Sequence, residues 1–426
     1  MHLPSRRTLA LLGTVVIAAC ARPATSRPSP SAALPTPLPG RAVYDGDVRV
    51  DPATGSVQAQ WRIAFIRDGS LADTVRLRLN PGFRVSSVSG PAVVGDSAVV
   101  DDDGQMITVA LAPAPRGSPA ALDIAYAGTL IAPGDSINRI SPDWVELGLD
   151  SFWHPVFAGF DQSITGRVRL RLPAGFQVAA SGTIQPLADG TYLLDARAPL
   201  IDLPFSAAPS LTVEERGETR VYYAGAKPPL VDPLLRTTES CSAYLNGLYG
   251  SAEALPPRRM VLAPRSGPGY ARQNYIVITG ADTAPTALGR FICHELAHFW
   301  SIRANSSGPD NWMNEGFAEF ISAQYVRSRI GAAAYDTIVT QWRTVGERQP
   351  AVWTPSATRR PSAMISYRKA PYLLTQLEAR IGSDRLQRVL QRYMVEPIRT
   401  TPQLIAMIAE VTDSATADWF RDLLSR

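Results

Sequence analysis

Histidine is scarce in this 426-residue chain, with four residues in all. Cysteine is scarcer still, with three, one of them at Cys20 near the start. The other two, Cys241 and Cys293, carry no disulfide framework, which excludes a small stapled scaffold. They read as buried free thiols, although an oxidising compartment would allow them to join. Lysine is almost absent: Lys227 and Lys369 leave arginine to carry the positive charge, which we attribute to genome composition. The formal net charge of +4 includes Arg6 and Arg7 in the leader, leaving about +2 without them. That is too little to argue for nucleic acid or for charge-driven binding to an anionic membrane. A spanning helix is not expected either, because the apolar run from Leu9 to Ala19 is well short of the roughly 20 residues required. What remains, 45% hydrophobic and 19% charged, is ordinary globular composition with room for two or three domains.

The leader has its own logic. Arg6 and Arg7 precede the apolar run, and Ile17-Ala18-Ala19-Cys20 closes it, the layout of a cleaved signal. Those last residues resemble the lipobox of bacterial lipoproteins, which implies a mature chain that begins at a lipidated Cys20. The paired arginines also have the form of a twin-arginine export signal, on a weaker pattern. Residues 21–40 are rich in proline, serine and alanine without any apolar period, as in a disordered tether. The expected setting is the bacterial cell envelope, with a monomeric folded part anchored to a membrane through Cys20.

Beyond the tether the pattern is β-like over residues 41–212. Val57, Ala59, Trp61, Ile63 and Phe65 alternate with polar residues at the period of a half-buried strand. Two stretches are related, VRLRLNPGFRV from Val75 and VRLRLPAGFQV from Val168. Since nothing else between them repeats, two hairpins with similar turn chemistry are expected rather than a duplicated unit. From residue 213 to 426 the text changes. Short strands are expected at Val221–Ala224, Met260–Leu262 and Tyr275–Thr279. Helical spacing then runs through Leu288–Ile302, Phe317–Ile330, Tyr372–Ile381, Leu386–Tyr393 and Leu404–Val411. The expected class is α+β and multidomain: an antiparallel β-sandwich or saddle, then a mostly helical domain.

The chemistry is concentrated in Phe291-Ile292-Cys293-His294-Glu295-Leu296-Ala297-His298. Four residues apart on a helix, His294 and His298 leave one face and can ligate a single metal. Glu295 is placed to take a proton from a water at that metal. With so few histidines, this pattern should arise by accident on the order of a few times in a thousand such chains. A zinc site needs a third ligand and an open position. Trp312-Met313-Asn314-Glu315-Gly316-Phe317-Ala318-Glu319 offers Glu315 and Glu319, again four apart; one would bind the ion and the other would orient a histidine. Spacing does not say which.

These segments, with Tyr367-Arg368-Lys369-Ala370, resemble the catalytic domain of the aminopeptidase N family of gluzincin zinc metallopeptidases, which is thermolysin-like. The resemblance is convincing over roughly residues 220–395. It implies one Zn2+, Glu315 as third ligand, Glu319 and Asn314 in support, and Tyr367 as the donor to the oxyanion. Sixteen residues separate His298 from Glu315, a shorter gap than the family usually has, which implies a trimmed loop around Ser306–Pro309. The tyrosine motif reads YRKAP, and the phenol is retained.

A larger departure concerns the glutamate that holds a substrate's amino terminus in that family. Its place falls in Tyr270-Ala271-Arg272-Gln273-Asn274, with Gln273 where the carboxylate would be. A neutral amide offers no opposite charge, and charge-assisted bonds are about twice as strong. Glu146 is the candidate to replace it, Asn274–Ile278 is the candidate edge strand for pairing with an extended peptide, and His154 is read as structural. The expected activity is zinc-dependent hydrolysis of peptides or protein segments, with exo or endo preference open. The alternatives are a non-catalytic peptide-binding lipoprotein on the same fold and a zinc hydrolase acting on an ester or epoxide.

Overall fold

The computed structural model of the protein describes residues 34–426 except 70–72, 102–103, 133–136, 252, 268 and 281–283. The leader, Cys20 and most of the tether fall outside the described residues.

From Arg41 to Ala208 the chain forms three sheets. The largest has seven strands in the order Thr183–Pro186, Thr191–Leu200, Ser163–Arg171, Arg41–Asp51, Ser56–Ile66, Pro119–Thr129 and Phe83–Ser89. Ser56–Ile66 buries Val57, Ala59, Trp61 and Ile63 and exposes Gln58, Gln60 and Arg62, as its alternation predicts. Arg41–Asp51 pairs in parallel with Ser163–Arg171, a departure from a purely antiparallel sheet. A parallel pair needs a long crossover, and the strands between residues 51 and 163 supply it.

The two VRLRL stretches are not hairpins. Thr74–Leu79 belongs to a four-stranded sheet, whereas Phe83–Ser89 joins the seven-stranded one; Ser163–Arg171 and Gln177–Ala180 are likewise divided between two sheets. Each Gly-containing turn carries the chain from one layer to another. Gly82 is required there, because a Cβ would collide with the carbonyl oxygen of Thr129. Trp61, Phe65, Leu77, Ile107, Tyr126 and Trp153 lie in the core of this region.

A five-stranded sheet follows, ordered Thr212–Arg216, Thr219–Tyr223, Arg258–Leu262, Tyr275–Ile278 and Tyr270–Arg272. Among the described residues the helices are α1 (Val231–Tyr249), α2 (Pro285–Ser301), α3 (Asn311–Arg329), α4 (Ala332–Gly346), α5 (Ala370–Ile381), α6 (Ser383–Val395), α7 (Thr401–Val411) and α8 (Ser414–Leu424). Of these α1, α4 and α8 were not expected. α1 buries Val231, Leu234, Leu235, Thr238, Cys241, Ser242 and Leu245 at helical spacing, but Thr238 and Ser242 put polar side chains on that stripe, and α4 buries few side chains, among them Tyr335, Ile338 and Trp342.

Cys241 of α1 and Cys293 of α2 form a disulfide, with Cα atoms 5.5 Å apart and both residues fully buried. This corrects the free-thiol reading. Their meeting depends on two helices packing side by side across 52 residues of sequence, which no spacing rule encodes. The bond ties α2 to α1 one residue before His294.

Candidate active site

α2 and α3 approach closely because residue 289 is glycine: a Cβ there would lie 2.9 Å from the Tyr325 ring. That approach sets the two motifs against each other. His294 and His298 present their rings edge to face, with centroids 4.7 Å apart. Glu315, in the second turn of α3, places Oε2 3.5 Å from His294 Nε2 and 3.4 Å from His298 Nε2. A tetrahedral ion with ligand bonds of about 2.0–2.2 Å has edges of about 3.3–3.6 Å, so these separations suit one. Glu315 Oε2 is also buried without a hydrogen-bond partner, an expensive state that a cation would relieve. Among the described residues, these three side chains form the group able to hold a metal.

The electrostatics agree. Burial alone would raise the Glu315 carboxyl, but His294 and His298 more than reverse this and hold it far below the carboxylate range. Burial likewise opposes charge on His294, yet Glu315 and Glu319 bring its pKa up to about 10.

Both histidines are braced from behind. Glu319 Oε2 lies 3.7 Å from His294 Nδ1, and the same carboxylate takes two bonds from Arg290 and one from Arg368. His298 Nδ1 lies 3.3 Å from Ser301 Oγ. Arg290, Ser301 and Arg368 escaped the sequence reading, although Arg290 sits four residues before His294 and Ser301 three after His298, on the faces where helical neighbours meet. Asn314 hydrogen-bonds to neither histidine. Its Oδ1 accepts from the N–H groups of Arg303 and Ala304, each at 3.1 Å, so it pins the short loop joining α2 to α3.

Tyr367 lies in a π-helical turn, Ile365–Lys369, and its ring stacks on His294 with centroids 5.4 Å apart. Gly316 makes this possible: a Cβ there would stand 2.9 Å from that of Ala370, so α3 and the Tyr367 turn meet at the residue beside Glu315. Burial, helped by Glu315 and Glu295, pushes the Tyr367 phenol well up, which keeps it a donor. Glu295 is half-buried on α2 beside His294.

The other sequence candidates are engaged elsewhere. Gln273, at the turn before Tyr275–Ile278, has a positive φ of 55° and donates its side-chain amide to the Pro199 carbonyl at 2.6 Å. Asn274 donates to Pro257. Glu146 is fully buried and held by two bonds from Arg265 and one from Trp144, which corrects its reading as an available charge. The edge strand is corrected too. Tyr275–Ile278 lies between two strands, because the Gln273–Asn274 turn folds Tyr270–Arg272 over it, and Tyr270–Arg272 is the edge. His154 is buried among aromatic rings, Nδ1 donating to Pro155 and Nε2 accepting from Leu203, a structural role as expected.

Residues 271–414 match the model of the peptidase family M1 domain. Over that stretch the chain is similar to an M1 peptidase domain. No curated protein matches it by sequence. Among solved structures, an M1 zinc metallopeptidase from Deinococcus radiodurans is similar, with a TM-score of 0.71 at 18% identity over 91% of this chain and 94% of that one. A variant of that protein described as bound to a Tyr-Ser-Ala substrate gives 0.66 at 19% identity, with the same coverage. Native yeast LTA4 hydrolase gives 0.69 at 15% identity over 88% of this chain and 66% of that one. At such identities the likeness is one of fold, and it covers the β-rich region as well as the M1 domain.

Proposed function

We infer that the protein hydrolyses peptide bonds with one zinc ion held by His294, His298 and Glu315. The observation that carries this is Glu315 Oε2, buried, without a hydrogen-bond partner and at tetrahedral-edge distance from both imidazoles. Zinc in such a set supplies an acidified water and a polarised carbonyl. Glu295 takes the proton of the attacking water and returns it to the departing amine. Tyr367 donates to the oxyanion that develops on the former carbonyl. Glu319 and Ser301 hold the Nδ1 sides of the histidines, leaving both Nε2 atoms turned to the centre.

The engagement of Gln273 and Glu146 favours a peptidase that does not require a free amino terminus. The test is a peptide library in free and N-acetylated forms, given to the zinc-loaded chain from residue 41. Comparable kcat/KM for the two forms is expected. Cleavage confined to free amino termini would return the protein to strict aminopeptidase action. Lipidation at Cys20 would place this activity at a membrane of the cell envelope. A Cys20→Ser chain should then leave the membrane fraction, and its retention there would remove the anchor.

A further inference from the structure

The segment between α4 and the Tyr367 turn is held firmly at its base. Lys369 Nζ donates to the carbonyls of Gln349, Pro350 and Arg426, and the N–H groups of Val352 and Trp353 both reach the Leu424 carbonyl. Its far end returns to the metal centre and presents Arg360, whose Nη2 lies 3.9 Å from Glu315 Oε1. That is an ion-pair distance, too long for a hydrogen bond. Arg290 and Arg368 grip Glu319 and are 19% and 31% exposed, whereas Arg360 keeps 53% of its side chain open to solvent.

The balance of charge says what this guanidinium is for. Around the centre Glu295, Glu315 and Glu319 are matched in number by Arg290, Arg360 and Arg368. A divalent ion therefore leaves the loaded site with an excess of positive charge. Glu146 and Asp202, acids of the β-rich region, are committed to Arg265 and Arg272. With Glu315 drawn to the metal, Arg360 faces whatever enters from solvent, and its planar fork suits a carboxylate better than any other peptide group.

We propose that Arg360 selects the substrate by receiving a carboxylate close to the scissile bond, a reading that rests on the peptidase assignment above. The carboxylate is either the C-terminal group of a short peptide or the side chain of an aspartate or glutamate. Both present the same pair of oxygens.

Two matched peptide pairs separate these sources: one with a free or amidated C-terminus, the other amidated throughout with Asp or Asn beside the cleaved bond. Zinc-loaded wild type, Arg360→Gln and Arg360→Lys are compared by kcat/KM on each pair. In parallel, calorimetry gives Kd for the same peptides with Glu295→Gln and with Glu295→Gln/Arg360→Gln. Wild type should favour the acid member of one pair by about 10–100-fold. Arg360→Gln should bring that ratio near one, chiefly through KM and Kd, and Arg360→Lys should restore part of it. The pair that discriminates identifies the source. A ratio near one for both pairs in wild type, or a ratio that survives Arg360→Gln, overturns the proposal. If no peptide is cut but Kd still discriminates through Arg360, the peptidase reading fails and the carboxylate site stands.

Discussion

Glu319 approaches Nδ1 of His294 to 3.7 Å while Arg290 and Arg368 close on the same carboxylate, so a second acid on α3 orients the ligand that the first acid faces. Burial would raise the Glu319 pKa, but His294 and Arg290 bring it down to about 2, which keeps it an acceptor at any working pH.

Glu319→Gln should therefore keep the fold and weaken the metal site. The amide still fills the space but no longer answers two guanidiniums or fixes the imidazole. Chelator competition should show affinity for zinc reduced by about 10–100-fold. Unchanged affinity would make Glu319 a packing residue.

Tyr367→Phe removes a hydroxyl and little else, because the ring still stacks on His294. If the hydroxyl meets the oxyanion, kcat should fall by about 100–1,000-fold with KM nearly constant. A loss confined to KM would place Tyr367 in substrate binding instead.

The legible part of this molecule was the part encoded locally. HELAH and NEGFAE place four residues by helical spacing alone, and the structure brings His294, His298 and Glu315 together with Glu319 behind them. Strand Ser56–Ile66 was equally plain, since one face is dry and the other wet. What could not be read depends on distant partners. Glu146 looks like a loose loop acid until Arg265, 119 residues away, is folded onto it. Gln273 looks like a lost glutamate until its amide is seen bound to Pro199. The Cys241–Cys293 bond and the VRLRL stretches misled for the same reason: each depends on which layers pack together.

His154 predicts a pH effect on stability. Burial, opposed by its bond to Pro155 and by the charge of Asp202, lowers its pKa to about 4, against about 6.5 in the unfolded chain. The unfolded state thus binds more protons between those values, so its contribution is complete above about pH 6.5 and is lost as the pH falls toward 4. The slope is on the order of 1 kcal/mol per pH unit at its steepest. Thermal melts of zinc-free protein across this window should steepen relative to a His154→Gln variant, with slopes compared rather than absolute Tm. Parallel curves would mean that His154 is already protonated in the folded chain.

The most direct test of the account is turnover by zinc-loaded Glu295→Gln beside wild type, with metal content measured on the same samples. One zinc per chain is expected in both, with a kcat lower in the variant by at least about 100-fold, since the base is lost while the ligands remain. Equal turnover with equal zinc would contradict it, because the proton would then be taken by some other group.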